Sequence, residues 1–232
     1  MAQQHLDRLT AVDASFLAQE HDSSHMHIGG ILIFEGPPPA GQDFLDHIRG
    51  RLHLVPRYRQ KLAVPPIEMG RPLWVDDTNF NLEYHVRHTA LPAPGSEEQL
   101  LRLACRIFSQ QLDRSKPLWE MWLIERLEGN RFALISKTHH ALVDGVSGVD
   151  LGQVLFDVEP VPRPVEHAEG EWRPQPEPSA SELIASGVKS IVKGGVEIAT
   201  SAVSAATKPQ TSVDKAREAI EGVGEIVWAG MN

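Results

Sequence analysis

The run Lys137-Thr138-His139-His140-Ala141-Leu142-Val143-Asp144-Gly145 sets two imidazoles side by side, with a carboxylate four residues after the second and a glycine behind it. Imidazole is the side chain best suited to moving a proton near neutral pH, so general acid–base chemistry on a hydroxyl or thiol is what this cluster could do. A plainer arrangement uses the same residues: Asp144 caps a helix, and the histidines are satisfied polar groups at a strand end. His25 and His27 fall on one side of a strand and could meet His139 or His140 around a metal. No carboxylate or thiolate cluster completes such a shell, so no metal is expected. Cys105, the single cysteine, lies in an amphipathic stretch and is expected to be buried and inert rather than nucleophilic. No nucleophile elbow is present.

The elements around the cluster follow from periodicity. Trp119 to Arg126 and Arg131 to Thr138 are rich in β-branched, aromatic and long apolar residues, with Glu128-Gly129-Asn130 between them, and predict a β-hairpin. Downstream, Val146, Val149, Leu151, Val154, Leu155 and Phe156 fall mainly on one helical face. The histidines therefore sit where a strand gives way to a polar turn and a helix. Earlier in the chain, Thr10 and Asp13 form a capping-box pair before Ala14, Phe16 and Leu17. His25 to Phe34 predicts a buried strand ended by Gly36-Pro37-Pro38-Pro39, and Phe44, Leu45, Ile48 and Leu52 predict a helix. Leu82, Tyr84, Val86 and His88 alternate as in a strand. Ser96 and Gln99 open a helix whose stripe is Leu100, Leu103, Ala104, Ile107, Phe108 and Leu112. Interleaved helices and strands with an antiparallel pair predict an α/β (α+β) fold, a mixed sheet flanked by helices.

At 232 residues and 41% hydrophobic content the chain can bury a core. A net charge of −9 argues against a nucleic-acid surface. One cysteine allows no intrachain disulfide. The amino terminus lacks the order of a signal peptide and no stretch approaches a membrane span, so a cytoplasmic location is the expectation.

The pattern His-His-x-x-x-Asp-Gly resembles the signature of the CoA-dependent acyltransferase superfamily, which includes chloramphenicol acetyltransferase and the peptide-synthetase condensation domains. Leu9-Thr10-Ala11-Val12-Asp13-Ala14-Ser15-Phe16, Met26-His27-Ile28-Gly29-Gly30, Pro117-Leu118-Trp119 and His139 to Gly145 occur in the order found in the bacterial wax ester synthase/diacylglycerol acyltransferase family, from Leu9 to Phe156. The resemblance implies a chloramphenicol acetyltransferase-like fold, one half of the usual two-domain architecture. It implies acyl transfer from acyl-CoA, as co-substrate and with no bound cofactor, to diacylglycerol or a long-chain alcohol. His140 is then the general base, His139 its support, and Asp144 and Gly145 hold the turn. Transfer is direct, so no nucleophile is required.

Domains expected on this reading are 1–158 for the amino-terminal acyltransferase domain, 159–180 for a Pro-rich linker and 181–232 for a helical interdomain segment. Ser181 is expected to open the first helix of that segment, and Val213 to Trp228 to form the last. The family is about twice as long, which implies a complementary carboxyl-terminal half or self-association as a partner. Peripheral contact with the inner membrane or lipid droplets is the alternative to a free cytoplasmic location. A non-catalytic homologue or partner subunit that binds lipid or acyl-CoA is the alternative to an enzyme.

Overall fold

The computed structural model describes residues 7–65, 70–143, 156 and 172–187. The chain divides into two units, 1–183 and 184–232, and nearly all described residues lie in the first. The elements in order are β1 (Asp7–Arg8), α1 (Ala11–Gln19), β2 (His27–Glu35), α2 (Gly41–Arg51), β3 (Gln60–Ala63), β4 (Leu73–Asp76), α3 (Leu82–His85), β5 (Val86–Ala90), α4 (Glu97–Phe108), β6 (Trp119–Leu127), β7 (Arg131–His139) and α5 (His140–Val143). Residues 144–155 lie outside the described residues, and with them the expected helix apart from Phe156. So does Val213 to Trp228.

A four-stranded sheet has the order β2-β7-β6-β5. Its β2–β7 and β6–β7 pairs are antiparallel and its β5–β6 pair is parallel, giving the mixed sheet that the interleaved pattern predicts. A smaller antiparallel sheet has the order β1-β4-β3. Side chains along β6 and β7 alternate between two cores, as the two-residue strand period requires. Trp119, Met121, Leu123 and Leu134 join Leu17, Phe44 and Ile48 from α1 and α2 on one face. Ile124, Ala133 and Ile135 join Leu100, Ala104 and Ile107 of α4 on the other.

Both capping boxes form: Asp13 N–H donates to Thr10 Oγ1 at 3.1 Å, and Gln99 N–H to Ser96 Oγ at 3.3 Å, with the reciprocal bonds present. Four expectations need correction. Among the described residues β2 is an edge strand and not a buried one: it pairs there with β7 alone, and Ile28, Leu32 and Ile33 are exposed. Leu82 to His85 form a helical turn because the Asn81 carboxamide accepts the Glu83 N–H at 3.0 Å, and the strand begins at Val86. Cys105 is exposed, since the buried stripe of α4 is Leu100, Ala104 and Ile107 and position 105 is turned away from it. Ser179, not Ser181, caps the helical turn at 180–187: its hydroxyl accepts the Glu182 N–H at 3.3 Å while the Glu182 carboxylate accepts the Ser179 N–H at 2.7 Å.

Residues 172–178 form no regular element, yet they are tethered to the small sheet. The Arg59 guanidinium lies 4.5 Å from the Trp172 ring centre, the Gln175 N–H donates to Asp76 at 3.0 Å, and Lys61 pairs with Glu177. Extended, proline-rich backbone leaves its side chains free to dock in this way.

Among the described glycines, Gly95 has the tightest surroundings. Its φ is +80°, and a Cβ there would lie 1.9 Å from the Arg126 carbonyl oxygen, a backbone atom with no room to retreat. Gly95→Ala is expected to destabilise the fold by about 2–4 kcal/mol. A thermal melt should therefore fall by about 2–4 °C for each of those kcal/mol; a melt identical to wild type would show that the close approach is relieved without cost.

Candidate active site

The cluster at the end of β7 is built by strand pairing. His27 faces His139 across the β2–β7 ladder, and Trp119 faces Thr138 across β6–β7. Consecutive residues then bond in opposite directions. The His139 N–H donates to the Leu118 carbonyl at 3.0 Å, and the His140 N–H donates to the Met26 carbonyl at 2.9 Å. His139 ends the strand and His140 starts α5, so the two rings enter different surroundings.

His139 is sealed, with no exposed surface. Its Nδ1 accepts the Ala141 N–H at 3.0 Å, which leaves the proton of the neutral ring on Nε2. Nε2 faces Glu20 Oε2 at 3.6 Å. Burial pushes the ring's pKa down to about 4, with the Glu20 carboxylate opposing and Arg114, His140 and His27 adding to the fall. His139 is thus neutral at neutral pH. His140 is half-buried, and its ring stacks on Phe16 of α1 with centroids 4.9 Å apart and planes 23° apart. Asp144 and Gly145 lie outside the described residues.

Glu20 was not foreseen. It ends α1, and its side chain is 1% exposed. Burial would push its carboxyl up, but hydrogen bonds from Gln111 at 2.9 Å, from Arg114 at 2.8 and 3.0 Å and from the Met26 amide at 3.2 Å outweigh burial and hold it below the usual carboxylate range. Glu20 and His139 are 119 positions apart, and no spacing or period links them. The only sequence signals are a carboxylate at the end of a capped helix and an arginine in the polar loop before β6.

The neighbouring histidines are spoken for. His25 Nε2 donates to the Ser109 carbonyl at 3.0 Å, His27 Nε2 to the Phe108 carbonyl at 2.9 Å, and Lys137 Nζ to the carbonyls of Ile107 and Gln110 at 3.0 and 2.9 Å. These donors from β7 and from the start of β2 satisfy the open carbonyls at the carboxyl end of α4, where positive charge is also favoured. No group of three His, Cys, Asp or Glu residues able to hold a metal occurs among the described residues. His25 and His27 serve the helix end.

The family description "Wax ester synthase/diacylglycerol acyltransferase catalytic domain" matches residues 9–225. The probable diacylglycerol O-acyltransferase tgs3 of Mycobacterium tuberculosis is 41% identical over 195 residues, covering 82% of this chain and 71% of that protein. The probable diacylglycerol O-acyltransferase tgs1 of the same organism is 40% identical over 154 residues, 66% of this chain and 33% of that protein. Among solved structures, a wax ester synthase/diacylglycerol acyltransferase from Marinobacter aquaeolei VT8 is similar at 38% identity and a TM-score of 0.52, covering 60% of this chain and 36% of that one.

The buried histidines set a pH dependence. In the unfolded chain an imidazole titrates near 6.5, whereas burial depresses the pKa of His139, and in the same direction those of His27 and His85. Between the two values the unfolded state binds more protons, so stability is full above pH 6.5 and is lost as pH falls toward 4. Each such ring adds at most about 1.4 kcal/mol per pH unit to the slope. Urea midpoints measured across this window should decline less steeply in His139→Asn than in wild type; equal slopes would mean that His139 is protonated in the native state.

Proposed function

The chain belongs to the wax ester synthase/diacylglycerol acyltransferase family, and from that premise we propose that it transfers a fatty acyl group from acyl-CoA to the hydroxyl of diacylglycerol or a long-chain alcohol. His140 is the general base. It takes the hydroxyl proton as the alcohol oxygen attacks the thioester carbonyl. The tetrahedral intermediate then collapses, the carbon–sulfur bond breaks, and the proton on His140 passes to the departing CoA thiolate. Acyl group, proton and electron pair are all accounted for, with acyl-CoA as co-substrate and no acyl-enzyme.

The observation that carries this reading is the contrast between two adjacent imidazoles. His139 is fully enclosed with Nδ1 committed to the Ala141 amide, whereas His140 is half-buried and its ring stacks on the face of Phe16. A ring that must accept a proton from a substrate needs a route to it, and among the pair only His140 has one. His139 supports its neighbour, and Asp144 with Gly145 is assigned the turn that follows.

The chain spans 36% of the solved Marinobacter relative, so a complementary half or a second copy is proposed to complete the substrate channel. The exposed Ile28, Leu32 and Ile33 along edge strand β2 support such a partner, because a long apolar edge invites further pairing. No described helix is long and apolar enough to cross a membrane, so contact with a bilayer or lipid droplet is proposed as peripheral. A second reading is a subunit that binds acyl-CoA or lipid without turnover.

Release of free CoA thiol and formation of triacylglycerol or wax ester separate the two. Assayed alone and with a matching carboxyl-terminal half, His140→Ala should lower turnover by about 10²- to 10⁴-fold while acyl-CoA binding persists. Equal product yields from wild type and variant remove His140 as the base, and binding without any turnover in either favours the subunit reading.

A further inference from the structure

Two hydrogen bonds hold the peptide units on either side of His140, and both lead back to one carboxylate. On the amino side, the His140 N–H donates to the Met26 carbonyl at 2.9 Å, and the Met26 N–H itself donates to Glu20 Oε1 at 3.2 Å. On the carboxyl side, the Ala141 N–H donates to His139 Nδ1 at 3.0 Å, and the other nitrogen of that ring faces Glu20 Oε2 at 3.6 Å. An ionised carboxylate can only accept hydrogen bonds. Facing Nε2, it favours the tautomer with the proton there, which is the tautomer that leaves Nδ1 free for Ala141. Facing the Met26 N–H, it fixes the strand end whose carbonyl receives His140.

The carboxylate is itself held rigidly. Arg114 Nε and Nη2 donate to Oε2 at 3.0 and 2.8 Å, Gln111 donates to it at 2.9 Å, and Arg114 Nη2 also reaches the Leu17 carbonyl at 2.8 Å. A buried carboxylate met by two donor side chains and a backbone amide has little freedom to move. The stack of His140 on Phe16 then follows, because Phe16 lies one helical turn before Glu20 on α1 and the Glu20 N–H donates to the Phe16 carbonyl at 3.1 Å. One element thus supplies both the ring's contact face and the anchor of its backbone.

We propose that Glu20 is the positioning residue for His140, setting the tautomer of His139 and the two backbone bonds that flank the base. The role rests on the acyltransferase reading, and Glu20 itself touches no reacting atom. Ser, Asn or Gln at this place could accept the Met26 amide, but each also brings a donor and lacks the charge that gathers Arg114. A carboxylate is the group that meets all of these demands together.

The test uses the full chain, ¹⁵N-labelled, as wild type, Glu20→Gln, Glu20→Asp and Gln111→Ala. In wild type the His139 ring nitrogens should report the Nε2–H tautomer near neutral pH. Glu20→Gln can present an N–H to Nε2, so it should shift those resonances toward the other tautomer and speed amide exchange at His140 and Ala141 by at least about tenfold, with the rest of the chain unchanged. Its kcat for acyl transfer should fall by about 10- to 100-fold at constant KM, since a displaced base costs turnover and not binding. Glu20→Asp should recover part of each effect, and Gln111→Ala should leave the tautomer intact.

Ring and amide signals in Glu20→Gln that match wild type would overturn the proposal, as would a uniform rise in exchange across the whole chain. Should Glu20→Gln not fold, Arg114→Met, which loosens the carboxylate from a partly exposed site, must reproduce the local changes or the proposal fails. A wild type with no transfer activity defeats the acyltransferase reading alone, because the nitrogen and exchange signals still decide what Glu20 positions.

Discussion

Strand β7 is hydrogen-bonded on both sides, to β2 over its whole length and to β6 over most of it, and the geometry of the site depends on that two-sided pairing. A strand held from both edges cannot slide against one neighbour without breaking its ladder to the other. Its last residue therefore arrives at a fixed place, and the alternation of backbone direction does the rest. His139 bonds toward Leu118 next to β6, and His140 toward Met26 next to β2. Two chemically identical side chains leave the sheet in different directions and acquire different properties from their surroundings alone.

The face of the sheet beneath α4 carries an unusual density of buried polar groups for so small a region. Lys137 is 1% exposed, Glu120 is 8% exposed, and their charged atoms lie 3.8 Å apart. Burying either ion alone would cost several kcal/mol. Lys137 is accommodated because the carbonyls of Ile107 in α4 and Gln110 just beyond it accept hydrogen bonds from its ammonium group, and burial still pushes its pKa down, against the pull of Glu120. Histidines 25 and 27 complete the same helix end from the neighbouring strand. The carboxyl end of α4 is thus fastened to the strands by side chains that read in sequence as catalytic or metal-binding candidates. Their work is to satisfy backbone carbonyls that the end of the helix leaves without intrahelical partners.

Local signals in the chain were legible wherever the cause was local. Thr10 with Asp13 and Ser96 with Gln99 cap their helices because the partner is three residues away. The β6–β7 hairpin was legible from its composition and from Gly129, whose φ is +79° in the turn. The edge position of β2 was not, since His27-Ile28-Gly29-Gly30-Ile31-Leu32-Ile33-Phe34 has the apolar run of a central strand and nothing in it says which neighbours pair. Gly29 in that run answers a distant residue: a Cβ there would lie 2.2 Å from the Phe108 ring. For the site, the adjacent histidines were visible and their unequal burial was not. Gln111 and Arg114 converge on Glu20, and Glu20 on His139, only through the fold, so no window along the sequence contains their relationship.

The β-bulge in β6 connects the hairpin to the site at its far end. Ile124 pairs with Ala133 and Leu127 with Arg131, so Glu125 and Arg126 together stand opposite the single residue Phe132. Arg126 takes a φ of 63° to absorb the extra residue, and its carbonyl is the atom that leaves no space for a Cβ on Gly95. The Leu91 N–H to Glu125 and the Glu128 N–H to Gly95 brace the irregularity from the loop after β5. The bulge sets two residues of β6 against one of β7, so the pairs on either side of it keep their register, from Trp119 opposite Thr138 to Leu127 opposite Arg131. The site end of β7 thus keeps an unbroken ladder to β6 although the hairpin end of the same strand pair is irregular.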